Sequence, residues 1–253
     1  MSIADKRKII YNQEVMGDAI KRPKKTIGIL GGSGPLATSN FFSDVIAVCQ
    51  EKYGAEQDTD FPKIYLSNIG LNGFDETGFQ NLELVKKQLI QNTKELELGG
   101  ADFIVMPCNT IHYFINEMQK NLKIPIISIL DATINKIKKT NFKKIGIISS
   151  NSTRALGLYK DKLLENGFEI IEATDTEQVE LDNVVLKVMS GNQGNAEKKI
   201  LQNIISRMNV DKVDAVILGC TELPLAITQQ DTLIPLFNTI HILAENAVDY
   251  SYA

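Results

Sequence analysis

Two short stretches of the chain carry side chains that could do chemistry, and each echoes the other. "MPCNTIH" (106–112) places Cys108 behind an apolar run that stops at Pro107, with Asn109 and Thr110 next; "GCTELP" (219–224) places Cys220 after a second such run, with Thr221 and Glu222 next. A thiol where a strand hands over to a helix meets unpaired N–H groups and a partial positive charge, which favour the thiolate. Asn109, Thr110 and Thr221 supply donors beside the sulfurs, and free amides suit a carboxylate. Two facing thiols around a carboxylate cradle fit inversion at a carbon bearing a hydrogen next to that carboxylate. One group takes the proton from one face while the other delivers a proton to the opposite face, which a single residue cannot do. Near-attack reaches of roughly 3 to 3.5 Å on each side of the carbon put the sulfurs about 7 Å apart, well beyond a disulfide bond of about 2 Å.

The elements that must hold these residues follow from hydrophobic period. "TIGILGG" (26–32) reads as a strand, after which Phe41, Val45, Val48 and Cys49 recur at helical spacing; "KIYLSN" (63–68) is a second strand, followed by Leu82, Val85 and Leu89. "DFIVMP" (102–107) is a third, followed by Ile111, Phe114, Ile115 and Met118 at i, i+3, i+4 and i+7, the mark of a helix. Strict alternation of strand and helix predicts βαβ units and a parallel sheet. The pattern then returns: "KIGIISSNST" (144–153) echoes "TIGILGGSGP" (26–35), and "VDAVILGCTELP" (213–224) echoes "GADFIVMPCNTI" (100–111). Ile27 precedes Cys108 by 81 residues and Ile145 precedes Cys220 by 75, a period too long for a solenoid and suited to duplication of a whole half.

The expected fold is therefore α/β, with two pseudo-symmetric parallel-sheet domains and an active site in the cleft between them, where strand C-termini face a ligand. The domains are placed at 26–124, with 233–253 crossing back to it, and at 125–232, the junction lying near Lys123 to Pro125; residues 1–25 form a basic extension. If the halves are related by a twofold axis, Cys108 and Cys220 stand on opposite walls of one cleft.

Bulk properties agree with this plan. The chain has 253 residues, 43% of them hydrophobic, enough for one large core or two small ones. No apolar run approaches bilayer length, and the first 25 residues carry seven Lys or Arg, three acids and no apolar h-region, so a soluble, cytoplasmic protein with no membrane partner is expected. That leader is net +4, which leaves −8 on the remainder of a chain that is −4 overall; a mildly acidic body argues against nucleic acid, and the leader reads as a frayed or partner-contacting tail. Three cysteines without a Cys-x-x-Cys pair read as reduced thiols, and His112 and His241 are too few and too scattered for a metal cluster.

"GILGGSGPLAT" (28–38), "PCNTIH" (107–112) and "GCTELP" (219–224), in order across residues 26–253, resemble the signature segments of the cofactor-independent aspartate/glutamate racemase superfamily, nearest to its aspartate racemase branch. The resemblance implies pyridoxal-free racemisation of a small amino acid with Cys108 and Cys220 as the acid/base pair, no cofactor, no metal, and a homodimer. It also implies that Ser33, Asn109, Thr110 and Thr221 hold the substrate's α-carboxylate and amino group, and that the "SSNST" turn contributes Ser150 and Thr153. Glu222, where glutamate-type members carry histidine, points to the aspartate-type branch. Against that pattern, aspartate-specific members carry an arginine after the second strand and a lysine in the second half for the distal carboxylate. This chain has no Lys or Arg in 67–85 or 163–186, and Phe74 and Val179 stand in their places by rough alignment. Either another donor serves a dicarboxylate or the side chain accepted is uncharged, as in broad-specificity racemases of the family; the missing cations favour the second.

Other readings of the same residues stay open. Cys49 lies on its helix's apolar face and reads as a packing residue. His112 could tune the Cys108 thiol, or cap or pack; Glu222 could orient a substrate amine or stabilise a first helical turn. "GSGPLA" (32–37) fits a dinucleotide loop only weakly, because Pro35 removes an N–H and the second strand ends in Ser67 and Asn68 rather than an acid. Decarboxylation or cis/trans isomerisation of small dicarboxylates, and plain small-acid binding without turnover, are the remaining alternatives; a thiol on both walls favours racemisation over a binder and over decarboxylases that keep a single cysteine.

Overall fold

The computed structural model describes residues 22–75 and 77–253. Most of the basic extension at 1–25 thus lies outside the described residues; from its end, Arg22 pairs with Asp60 at 3.8 Å, and the backbone N–H groups of Lys24 and Lys25 donate to the Ser251 carbonyl.

The first half runs β1 (Ile27–Gly31), α1 (Pro35–Tyr53), β2 (Ile64–Asn68), a hairpin of β3 (Phe74–Asp75) and β4 (Gly78–Phe79), α2 (Leu82–Leu98), β5 (Phe103–Val105), α3 (Ile115–Gln119), β6 (Ile126–Ile127) and α4 (Ile129–Lys138). The second runs β7 (Lys144–Ile148), α5 (Asn151–Ala155), α6 (Lys160–Glu165), β8 (Glu169–Glu172), α7 (Asp175–Met189), α8 (Asn195–Val210), β9 (Ala215–Leu218), β10 (Leu236–Asn238) and α9 (Thr239–Tyr252). Two four-stranded sheets result, ordered β2-β1-β5-β6 and β10-β9-β7-β8, every pairing within them parallel. Numbered within its own half, each sheet reads 2-1-3-4. Duplication therefore reaches beyond the echoing segments to the topology, and the molecule is a pair of pseudo-symmetric α/β domains.

The fourth strands show how the halves interlock. β6 lies beyond residue 124 and pairs with β5 in the first sheet, while β10, inside the 233–253 segment, pairs with β9 in the second. Only α9 crosses back, packing on both α1 and α4.

Parallel strands covered on both faces read as near-continuous apolar runs, and β1 and β9 are buried at every position. Ile27, Ile29, Phe103 and Val105 of the first sheet share one core with Ile145, Ile147 and Ile217 of the second, through Ile129, Ile240 and Leu243 of the helices between. Opposite faces pack outward: Leu30 and Ile104 under Val85 and Leu89, and Ile148 and Leu218 under Val184 and Ile204. Local chemistry starts the helices. Pro35 opens α1; Asn81, Ser128 and Asn238 accept the N–H three residues on; Thr174 and Glu177 form a capping box for α7.

The helix expected after β5 is replaced by a 3₁₀ turn at Thr110–Phe114 and the single-turn α3, and after β9 the chain makes another 3₁₀ turn at Leu223–Leu225. Ile111, Phe114 and Met118 still face the core as their spacing requires, but the first turn is tightened, as helix termini often are. The positive end of a long helix macrodipole is thus missing beside either sulfur, and any support for a thiolate comes from local N–H and hydroxyl groups. Among the described residues no helix is long and apolar enough to cross a membrane, and no group of three or more His, Cys, Asp and Glu is placed to hold a metal.

Candidate active site

Four strand ends converge. After β1 the chain turns at Gly32, whose φ of +103° and whose absent Cβ, which would stand 2.0 Å from the Ile69 carbonyl oxygen, restrict the position to glycine. That turn delivers Ser33. The end of β5 delivers Cys108, Asn109 and Thr110; the end of β7 delivers Ser150, which caps α5, and Thr153; the end of β9 delivers Gly219, Cys220, Thr221 and Glu222. All nine residues expected from sequence line a single cavity, joined by Phe74 from the hairpin and by Gly219. Because β5 and β9 are equivalent third strands, the two cysteines enter from equivalent places in the two halves. The free space is about 20 Å³, room for about one water molecule.

Both sulfur-bearing residues are close to sealed, Cys108 at 8% exposure and Cys220 at 7%. Cys220 Sγ donates to Glu222 Oε2 at 3.1 Å, and Thr221 Oγ1 donates to the same oxygen at 3.1 Å. Glu222 therefore sits at the sulfur rather than capping a helix, and burial pushes its carboxyl above the usual range. Across the cleft, Thr110 Oγ1 and Thr153 Oγ1 share a hydrogen bond of 2.9 Å, and Ser150 Oγ donates to Thr153 Oγ1 at 3.2 Å. Tyr159 donates to Asn109 Oδ1 at 2.6 Å, and Asn109 Nδ2 lies 3.5 Å from Thr239 Oγ1. Neither Tyr159 nor Thr239 is visible as a site residue in the sequence, since each contact spans 50 residues or more and neither side chain belongs to an echoing segment.

His112 has its two roles fixed by its partners. A carbonyl can only accept, so Nδ1–H donates to the Cys108 carbonyl at 2.8 Å, and Nε2 accepts the Ile129 N–H at 3.1 Å. With both nitrogens bound to backbone, the ring braces the Cys108 turn against the start of α4. Burial, the largest influence, lowers its pKa from 6.5 to about 4. The folded state thus holds the ring neutral while the unfolded chain protonates near 6.5: stability is full above that pH and declines as pH falls from 6.5 towards 4, by about 3 kcal/mol. Urea midpoints measured across that window should show the decline in the wild type and a flatter profile in His112→Gln, which keeps a donor and an acceptor but does not titrate. Parallel profiles would mean that the ring is not the titrating group.

The other sequence candidates separate cleanly. Cys49 is fully buried in the shared core beside Tyr252, a packing thiol. His241 lies 3.7 Å from Asp44 and does not line the cavity. Phe74 does line it, with Phe79 packed behind at 4.8 Å, whereas Val179 is 63% exposed on α7 and takes no part. That face of the helix looks to solvent. Among the described residues no lysine or arginine lines the cavity.

Residues 30–247 match the family model for Asp/Glu/hydantoin racemases. The chain is 29% identical over 222 residues, 88% of its own length and 96% of the relative's, to the broad specificity amino-acid racemase of Bacillus subtilis. Among solved structures it is similar to an aspartate racemase homologue from Pyrococcus horikoshii (TM-score 0.77, 30% identity, 90% of this chain and 100% of that one). It is also similar to the aspartate racemase of Picrophilus torridus (TM-score 0.77, 27% identity, 90% and 94%).

Proposed function

The chain belongs to the Asp/Glu/hydantoin racemase family, and from that membership we propose that it inverts the α-carbon of a small amino acid with Cys108 and Cys220 as its two acid/base groups. One observation carries the reading: two thiols, delivered by equivalent strands of the two halves, line one cavity whose remaining polar groups are hydroxyls, one carboxamide and one carboxyl. One sulfur, as thiolate, takes the α-proton; the other, as thiol, returns a proton to the opposite face, and the reverse reaction exchanges the roles. Both transfers are made by side chains of the chain itself.

The remaining residues divide by charge. Asn109, Thr110, Thr153, Ser150 and Ser33 offer hydrogen-bond donors, suited to the α-carboxylate. Glu222, beside Cys220 and Thr221, is the one carboxyl in the lining and suits the ammonium group. Opposite a distal carboxylate there would be Phe74 and no cation, so the accepted side chain is uncharged; likeness to a relative named for broad specificity supports this. A homodimer in the cytoplasm completes the reading suggested by the family.

The test incubates single enantiomers of the standard amino acids with purified protein in deuterium oxide, followed by chiral chromatography and mass analysis. Opposite enantiomers bearing deuterium at the α-carbon are expected for several uncharged amino acids. Turnover confined to aspartate would overturn the side-chain assignment. Loss of carbon dioxide, geometric isomers of a dicarboxylate, or binding without turnover would each overturn racemisation.

A further inference from the structure

The two thiol-bearing turns are remote in sequence, and one side chain from outside both touches both. Tyr159, just ahead of α6, is 1% exposed in the core shared by the halves. Its ring lies on Gly219, the residue before Cys220: a Cβ built there would stand 3.1 Å from Tyr159 Cε2 and 3.1 Å from Ser149 Cβ, so the space fits glycine alone without displacement. At the far end of the ring, the hydroxyl donates to Oδ1 of Asn109, the residue after Cys108, at 2.6 Å.

The carboxamide's orientation is settled by its second neighbour. Thr239 Oγ1 donates to the Leu218 carbonyl at 2.9 Å, so towards Asn109 it accepts, from Nδ2 at 3.5 Å. Oδ1 must then face the tyrosine, one Nδ2 proton faces the threonine, and one Nδ2 proton remains for the cavity that Asn109 lines.

The geometry points to Tyr159 as a positioning residue: it holds the Asn109 carboxamide so that the remaining Nδ2 proton meets the substrate carboxylate, and it sets that group in register with the Cys220 turn through Gly219. This rests on the racemase reading. Burial keeps the phenol protonated by raising its pKa, and the Thr133 and Thr239 hydroxyls also approach its oxygen. A tyrosine serving only as core filler would be replaceable by phenylalanine.

Tyr159→Phe keeps the ring and removes the donor. The expected result is a melting temperature near that of the wild type with kcat/KM lowered by about 10-fold or more. Most of the loss should appear in KM, because a carboxylate contact is made alike in the ground and transition states; a merely structural defect would lower the active fraction and leave KM alone. Asn109→Ala should cost more, and the double variant should match Asn109→Ala within about twofold, since both act through one contact. Undiminished activity of Tyr159→Phe, or losses that multiply in the double variant, would overturn the assignment. A second readout does not depend on turnover: the Asn109 side-chain amide resonance, identified by its absence in Asn109→Ala, should lose protection from solvent exchange in Tyr159→Phe, and an unchanged resonance would overturn the contact. A wild type inert towards every amino acid would instead sink the racemase reading, with the amide resonance still deciding on Tyr159.

Discussion

Cys108→Ala and Cys220→Ala should each lower racemisation by about 10³-fold or more while leaving the protein folded. Loss of a positioned acid or base removes the proton transfer on its face, an effect in the range of about 10²- to 10⁴-fold, and inversion needs both faces. Each sulfur sits at the rim of its half's outer core, 7 to 8% exposed, so truncation to alanine removes little buried area. The two variants should nonetheless differ in a way that a structural defect could not mimic. A protein left with one thiol can still remove the α-proton that faces it and return a deuteron to the same face, without inversion. Cys220→Ala should therefore wash deuterium into one enantiomer and Cys108→Ala into the other. Near-normal inversion by either variant, or exchange of the same enantiomer by both, would dispose of the two-thiol assignment.

The part of this site that is legible in sequence is the part that was duplicated. Cys108 and Cys220 stand out because each follows a strand-like run and is followed by threonine within two residues, and the second copy turns a lone buried thiol into half of a pair. Strand–helix alternation gives parallel sheets for the same physical reason: a strand buried on both faces leaves a short apolar run between helical stripes. What stays hidden is set by contacts with no local signature. The 2-1-3-4 strand order, the crossing of α9 and the placing of β6 and β10 depend on which faces cover which, and many short parallel strands could be permuted without altering any local pattern. Tyr159 carries no mark in its neighbouring residues of the contact its hydroxyl makes across the cleft. The helical period at Ile111 to Met118 correctly marks the buried face but does not distinguish a 3₁₀ turn from an α-helix, since both bring i and i+3 to one side. That distinction bears on chemistry, because it removes the macrodipole from the account of the thiols and leaves Glu222 as the carboxyl in contact with Cys220.

Phe74→Arg should turn the enzyme towards dicarboxylic amino acids, raising kcat/KM for aspartate relative to an uncharged amino acid by about 10- to 100-fold, the range of a charge-assisted hydrogen bond. The wild-type ring borders the cavity from the hairpin, backed by Phe79 at 4.8 Å and, through it, by Phe114 at 5.2 Å. A distal carboxylate placed there would leave water for an aromatic wall without a counter-charge, a desolvation that nothing in the lining offsets. Arginine supplies the counter-charge and at the same step removes apolar surface, so the two substrate classes should move in opposite directions. Phe74→Leu should keep the uncharged preference, and Val179→Lys, on the solvent face of α7, should leave the ratio where it was. The ratio of kcat/KM values is the informative quantity, because a hairpin loosened by the substitution would slow both substrates together. A wild type that already prefers aspartate, or a ratio that Phe74→Arg leaves unmoved, would show that the side chain of the substrate lies elsewhere than against this ring.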